Sequence, residues 1–265
     1  MKRLVLLLPV IGALSACATQ WQKNEHGLKL KYARSSTLPK AEARPIQSQD
    51  LQAGDILFSA NRSVVSLGVR LFNNAAVSHA FIYLGDGQIA EAVGSGVRIR
   101  PLKEALQESN LMAAFRHPDV NEEDILQLRH FAEQQAGKNY NYLGIAKQST
   151  YSITRNVCEL PIMPRHIRHF CLSSMATILI TPFAGQGFFC SQFVIEAFNA
   201  IGKPLTRTPA EWVTPQDILH MREGDIATVR ATARLQYVGH LACKNSIWNN
   251  GCNRIAENHI SLKSE

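Results

Sequence analysis

The stretch HAFIYLGDGQIAEAV, residues 79–93, restricts the fold of this chain more than any other. Two apolar segments flank the Gly-Asp-Gly of residues 85–87, a pattern that predicts an antiparallel β-hairpin. If those three residues form the loop, opposite residues have numbers that sum to 172, and Glu91 lies diagonally across from His79 on the same face. A two-residue loop would place Glu91 on the other face. The Gly-Asp-Gly spacing favours the first register.

A second stretch, GQGFFCSQFVIEAFNAIGKP, predicts a helix that begins at Cys190 and ends near Gly202 and Pro204. At the first turn of a helix, the dipole and the unpaired N–H groups lower the pKa of a thiol. Cys190 is therefore a candidate nucleophile, with His79 as its base and Glu91 as the residue that orients the imidazole. The Cys190 backbone N–H is a candidate oxyanion donor. Alternatives are a packed or disulfide-bonded Cys190 and a structural His79.

The N-terminus, MKRLVLLLPVIGALSAC, has the pattern of an export signal. Lys2 and Arg3 precede an apolar run, Leu4 to Leu14, that is too short to span a bilayer stably. The small residues that follow lead to Cys17 and resemble the lipobox of bacterial lipoproteins, in which that cysteine is acylated and becomes the mature N-terminus. An ordinary signal peptide is the alternative. Acylated Cys17 would anchor the chain, and Ala18 in place of aspartate favours the outer membrane, facing the periplasm.

The six cysteines suggest one free thiol. Cys17 is explained by the anchor, and an odd number is left for an oxidising compartment. Two close-spaced pairs are candidates for disulfides, although connectivity does not follow from sequence: Cys158 with Cys171, and Cys243 with Cys252. These pairings would leave Cys190 free. A zinc site formed by the first pair with His166 and His169 is less favoured, because the spacing matches no common zinc finger or ribbon.

Composition limits the partners of the chain. The 28 Lys and Arg residues exceed the 21 Asp and Glu residues, and the resulting net charge of +7 is spread along the sequence. No nucleic-acid partner is expected, whereas a mild basic excess suits a protein held near anionic lipid. The sequence contains no P-loop and no dinucleotide-binding glycine motif after a strand. A hydrophobic content of 46% is sufficient for the core of a single domain.

Five segments together resemble the circularly permuted branch of NlpC-type papain-like cysteine hydrolases. This branch includes the YaeF/YiiX-like bacterial proteins and is related to the lecithin:retinol acyltransferase-like enzymes. The segments are GDILF (54–58), SHAFIYLGDGQIAEA (78–92), NYNYLG (139–144), FFCSQFVIEAF (188–198) and RTPAEWVTPQDI (207–218). In papain the cysteine precedes the histidine, whereas His79 here precedes Cys190, which is the permuted order. Glu91 matches the third polar residue of the family, on the strand after the histidine.

This resemblance implies an α+β fold, a papain-like antiparallel sheet packed by helices in a single domain. It also implies that the Cys190 thiolate attacks a carbonyl carbon and forms an S-acyl enzyme, with no metal or organic cofactor. The expected organisation is a cleaved signal peptide (1–16), a lipidated N-terminus and tether (17–48), a catalytic domain (49–225) with an insertion near 145–187, and a C-terminal extension (226–265).

The leading functional hypothesis is an envelope peptidase or amidase that acts on peptides, peptidoglycan stems or acylated small molecules. The second is a lipid acyl hydrolase or acyltransferase, by analogy with the retinol acyltransferase relatives. The third is a binding lipoprotein that lacks catalysis. The first two share all catalytic residues, so only the pocket distinguishes them: an apolar slot favours acyl chains and an open polar groove favours peptides.

Other segments give local predictions. Residues 63–72 are predicted to form a short helix, residues 122–137 a helix that stops at Gly137, and residues 226–237 a strand. Further side chains are assigned structural roles or a place beside the cleft: Asp55 as a turn residue, Trp212 as a loop anchor, and Tyr140 and Tyr142 as cleft-lining aromatics.

Overall fold

A computed structural model describes residues 19–24, 27–32, 36–37, 43–60, 76–139 and 188–243 of the chain. Several features predicted from the sequence lie outside these residues: the signal peptide, Cys17, the 63–72 helix, Tyr140, Tyr142 and the insertion near 145–187. Among the helices that are described, none has both the length and the apolar character needed to cross a membrane.

The described strands are β1 (Thr19–Asn24), β2 (Gly27–Tyr32), β3 (Ile56–Ala60), β4 (His79–Gly85), β5 (Gln88–Val93), β6 (Gly96–Pro101), β7 (Leu111–Arg116) and β8 (Gln236–Cys243). The described α-helices are α1 (Leu102–Glu108), α2 (Glu122–Gln135), α3 (Cys190–Ala200) and α4 (Pro215–Leu219). Strands β3 to β8 form one sheet in the order β6-β5-β4-β3-β7-β8, and every neighbouring pair is antiparallel. The predicted α+β class, with helices against an antiparallel sheet, is confirmed.

The two faces of this sheet bury separate groups of apolar side chains, because side chains alternate along each strand. On one face, strand residues such as Phe58 and Ile82 pack with Phe193 and Phe198 of α3 and with Leu128 of α2. On the other face, residues such as Leu57, Phe81 and Ile89 pack with Leu102 and Ala105 of α1. His79 and Glu91 lie two positions from Phe81 and Ile89 of the second group and therefore belong to the same face, which α1 covers.

The β4–β5 hairpin reaches the predicted register by a different turn. Ile82 pairs with Ala90 and Tyr83 with Ile89, so the predicted sum of 172 is confirmed. The turn itself contains two residues, 86 and 87, which both have positive φ (53° and 69°), as in a type I′ turn. A register shift before Gly85 (φ 90°) accommodates one extra residue in β4. The shift compensates for the shorter loop, and it keeps His79 and Glu91 on one face.

Two segments of the chain differ from the sequence-based expectations. In the segment predicted to be a tether, β1 and β2 form a hairpin, which needs only local backbone pairing and not an apolar period. The strand predicted at 226–237 is wrong for most of its length, since β8 begins at Gln236 and continues to Cys243. The apolar residues that suggested it, Val229 and Ala231 among them, pack against the core from irregular backbone. The C-terminal extension thus contributes an edge strand, paired with β7.

Candidate active site

Neighbouring strands bring the first two candidate residues together. His79 is the first residue of β4 and Glu91 lies within β5. The Nε2–H of His79 donates a hydrogen bond of 2.7 Å to Oε2 of Glu91. The Glu91 side chain is only 1% exposed, whereas that of His79 is 22% exposed. One ring nitrogen is therefore occupied by a buried carboxylate, which leaves Nδ1 for another partner.

That partner is Cys190, the first residue of α3. His79 and the thiol are hydrogen-bonded. Helix α3 packs on the sheet face opposite to α1, yet His79 begins its strand and so lies at the end of the sheet, where the N-terminus of α3 can reach it. The sulfur also accepts hydrogen bonds from the backbone N–H groups of Ala80 and Ser191. The N-cap residue, Phe189, makes no side-chain capping bond.

These contacts favour a thiolate beside an imidazolium. Burial disfavours both charged forms, but the hydrogen bonds and opposite charges outweigh it. They lower the pKa of the Cys190 thiol, and they raise the pKa of His79 from 6.5 to about 10. Burial likewise raises the pKa of Glu91, yet its hydrogen bond to His79 and the nearby positive charges bring that pKa down to about 2. His79 and Glu91 are therefore both charged at neutral pH, and the lowered pKa of Cys190 favours the thiolate that nucleophilic catalysis by a thiol requires.

Sequence reasoning missed two arginines beside Glu91. Oε1 of Glu91 accepts hydrogen bonds from Nε of Arg98 (2.9 Å) and from Nε of Arg100 (2.6 Å), both on β6. Strand β6 follows β5 through a tight turn, and Glu91 pairs directly with Arg98. The signal was present in the sequence, because alternating arginines after the Gly-Ser-Gly of residues 94–96 predict two cations on the face of Glu91.

A second contact fixes the N-terminus of α3. The hydroxyl of Ser191 donates a 2.6 Å hydrogen bond to the carbonyl oxygen of Val213. Val213 directly follows the 3₁₀ turn Ala210–Trp212, which packs against α3. Trp212, predicted as a loop anchor, thus belongs to the segment that holds the helix start, and its buried Nε1 has no hydrogen-bond partner among the described residues.

Among the remaining candidates, Asp55 is described, and it is not part of this site. Asp55 accepts two hydrogen bonds from Arg116 (2.7 and 2.8 Å) and one from the N–H of Gln52, which is the structural role expected of it. Within the described ranges, no group of three His, Cys, Asp or Glu side chains could hold a metal ion. Cys190 is a free thiol, 6% exposed. The predicted disulfide and zinc residues lie outside the described residues, apart from the backbone of Cys243.

Two comparisons identify the family. Residues 50–153 match the family model described as "Permuted papain-like amidase enzyme, YaeF/YiiX, C92 family". The chain is also 35% identical, over 250 residues, to "Probable lipoprotein peptidase YaeF" of Escherichia coli (strain K12), an alignment that covers 89% of this chain and 91% of that protein. This chain belongs to the YaeF/YiiX family of permuted papain-like amidases. The predicted family resemblance is therefore confirmed.

The segment that matches the family model includes His79 and Glu91, while Cys190 follows it along the chain.

Among solved structures, the chain is similar to one titled "Crystal structure of metalloprotein yiiX from Escherichia coli O157:H7, DUF1105". The two share 16% identity with a TM-score of 0.40, over 70% of this chain and 89% of that one. Membership in a peptidase family with a lipoprotein relative indicates an enzyme of the cell envelope.

Proposed function

We propose that this chain is a thiol amidase or peptidase in which Cys190 is the nucleophile, His79 the general acid and base, and Glu91 the residue that orients His79. The observation that carries the proposal is the continuous hydrogen-bonded series from the Cys190 thiol through the imidazole to the buried carboxylate of Glu91. Such a nucleophile, base and orienting group form the minimal set for covalent acyl transfer.

The proposed reaction has two steps. The Cys190 thiolate attacks the amide carbonyl carbon, the C–N bond breaks, and the His79 imidazolium gives its proton to the leaving amine. The product of this step is an S-acyl enzyme. Water then attacks the thioester while His79 accepts its proton, which releases the carboxylic acid and restores the thiolate and imidazolium. The Cys190 backbone N–H, at the start of α3, is our candidate donor to the oxyanion in both steps.

We further propose that acyl chains on Cys17 hold the enzyme at the outer membrane, facing the periplasm, where peptides, peptidoglycan stems and acylated amines are available. The lipobox at Leu14–Cys17 and the name of the E. coli relative, a probable lipoprotein peptidase, support a location in the cell envelope. A Cys17→Ser variant should leave the membrane fraction and appear as a soluble periplasmic protein. Persistence in the membrane fraction would mean that another part of the chain binds the membrane.

The substrate class is tested by incubating wild type and Cys190→Ala with envelope peptides, muropeptides, N-acyl amino acids and phospholipids, followed by mass spectrometry. We expect amide cleavage that depends on Cys190 to dominate, in line with the amidase family. Phospholipid deacylation with every amide intact would instead establish a lipid acyl hydrolase. No product that depends on Cys190 in any pool would point to a binding lipoprotein.

A further inference from the structure

The carboxylate of Glu91 divides its two oxygens between different partners. Oε2 accepts only the hydrogen bond from His79 among the contacts described, whereas Oε1 accepts those from Arg98 and Arg100. A buried carboxylate with two free rotamers would offer either oxygen to the imidazole. Two guanidinium groups on one oxygen remove that freedom, because a rotation of the carboxylate would break both arginine contacts.

We propose that Arg100, assisted by Arg98, is a positioning residue for the reaction: it holds Glu91 in the single orientation that directs the imidazole of His79 at Cys190. This inference rests on the proposed catalytic role of Cys190 and His79. Arg100 acts only through Glu91, since its guanidinium contacts the carboxylate and not the imidazole or the thiol in the contacts described.

Arg100 is held more firmly than Arg98. Its Nη1 and Nη2 donate to both carboxylate oxygens of Glu108 on α1 (3.0 and 2.7 Å), and its side chain is 10% exposed. Glu104, one turn earlier on α1, lies 3.8 Å from the same guanidinium. The side chain of Arg98 is 42% exposed, so water screens its charge. Arg100 therefore connects α1 to Glu91 and is expected to have the larger effect.

The two arginines also balance the charge of a carboxylate that has little contact with water. Burial alone would favour protonation of Glu91, and a neutral carboxyl group would no longer stabilise a charged His79. Among the described residues, the charged groups around this carboxylate come from three elements: His79 on β4, Arg98 and Arg100 on β6, and, through Arg100, Glu104 and Glu108 on α1. Positioning and ionisation of Glu91 thus depend on the same guanidinium.

The test measures the rate at which iodoacetamide alkylates Cys190, from pH 4 to pH 10, in the full-length protein. Arg100→Gln should lower the rate at pH 6 by about 10-fold and move the acid limb of the profile to higher pH. In a Glu91→Gln background the same substitution should have no further effect, because its partner is gone. Arg100→Lys, which keeps the charge without the fork, should recover part of the rate.

Arg116→Gln is the matched control, since Arg116 also donates two hydrogen bonds to a buried carboxylate, Asp55, in the same sheet. It should reduce stability and leave the alkylation profile unchanged. If Arg100→Gln does not fold, Glu108→Gln loosens Arg100 from an exposed position and should give a smaller decrease in the same direction.

Three results would contradict the inference. If the wild-type thiol is reactive and neither Arg100→Gln nor Glu108→Gln changes its alkylation rate, Glu91 needs no positioning by Arg100. An equal loss in the wild-type and Glu91→Gln backgrounds would show a general structural role for Arg100. A wild-type thiol that reacts at pH 6 no faster than free cysteine would overturn the proposed function as well.

Discussion

Among the described residues, two buried groups have the same composition, a histidine, a carboxylate and arginine, and one of them lies beside the described thiol of Cys190. In the first, His79 donates to Glu91, which also accepts from Arg98 and Arg100. In the second, the Nδ1–H of His220 donates to Asp225 (3.0 Å), which pairs with Arg222 at 2.8 Å. Composition alone therefore does not distinguish a catalytic group from a structural one.

The difference lies in the second partner of each histidine. His79 is hydrogen-bonded to the Cys190 thiol as well as to Glu91, and its side chain is 22% exposed. Nε2 of His220 accepts a 2.9 Å hydrogen bond from the Gln216 amide, whose oxygen in turn accepts from the N–H of Ala76. His220 is 6% exposed. A histidine with both nitrogens satisfied by the fold and little access to solvent stabilises its loop, whereas one that faces a thiol near solvent can transfer protons.

The largest expected effect separates the two histidines. His79→Ala should slow alkylation of Cys190 at pH 6 by about 100-fold or more, because the thiol then loses its counter-ion. His220→Ala should leave that rate within twofold and lower the free energy of unfolding by about 2 kcal/mol, since Asp225 and Gln216 each lose a buried partner. Alkylation kinetics and urea unfolding of both variants measure this contrast. Equal effects on reactivity would remove the distinction between the two groups.

The carboxylates provide the next contrast. Glu91→Gln should reduce kcat by about 10- to 100-fold with KM nearly unchanged, because Glu91 orients His79 and need not touch substrate. Asp225→Asn should leave kcat unchanged and lower stability by about 1–3 kcal/mol. Steady-state kinetics on the amide substrate found in the pool experiment provide the measurement. A rise in KM for Glu91→Gln, at constant kcat, would mean that Glu91 contacts substrate instead.

The pKa shifts of the buried carboxylates and of the His79–Cys190 pair should also appear in the pH dependence of the free energy of unfolding. The lowered pKa of Glu91 contributes stability that is complete above pH 4.5 and is lost as the pH falls towards 2. Asp225 acts in the same direction, because its hydrogen bond and ion pairs outweigh burial and lower its pKa.

The raised pKa of His79 contributes stability that is complete below pH 6.5 and is lost as the pH rises through about 10, while Cys190 contributes in the opposite sense, above pH 9. Cys190→Ala removes the contribution of the thiol and also removes a hydrogen bond and an opposite charge that raise the pKa of His79. The free energy of unfolding, measured with denaturant from pH 6.5 to pH 10, should therefore depend on pH differently in wild type and in Cys190→Ala. The same pH dependence in both proteins would contradict the ion pair.

The smallest expected effect concerns the turn that sets the strand register in which His79 and Glu91 share a face. The second group needs no such turn, because His220 and Asp225 are only five residues apart. Gly85→Ala is strained at φ 90°, and its Cβ would lie 2.5 Å from Nη2 of Arg129. It should destabilise the hairpin and slow alkylation several-fold. Gly87→Ala meets no atom within 4 Å and should cost only about 1 kcal/mol, with reactivity unchanged. Hydrogen exchange of β4 and β5 would locate any loss of pairing.

Much of the candidate site could be predicted because its parts are local. The apolar period after Cys190 predicted α3, and the alternation on either side of Gly85 predicted the hairpin and its parity. The two-residue turn was not predicted, yet the same residues of β4 and β5 still share a face of the sheet. A slip that moved the apolar side chains to the wrong face would destabilise the fold more than the single register shift does. Local spacing was therefore enough to predict that His79 and Glu91 share a face and that Cys190 begins a helix.

Only the tertiary structure decided which other elements these strands and this helix contact. Helix α3 packs on one sheet face while Glu91 and the arginines lie on the other, and Cys190 reaches His79 only because both lie at an end of their elements. The placement of β8 beside β7, and of Glu108 against Arg100, likewise joins segments that no local period relates. The periodicity of a sequence records how each element buries its own apolar side, whereas the contacts between elements depend on the packing of the whole core.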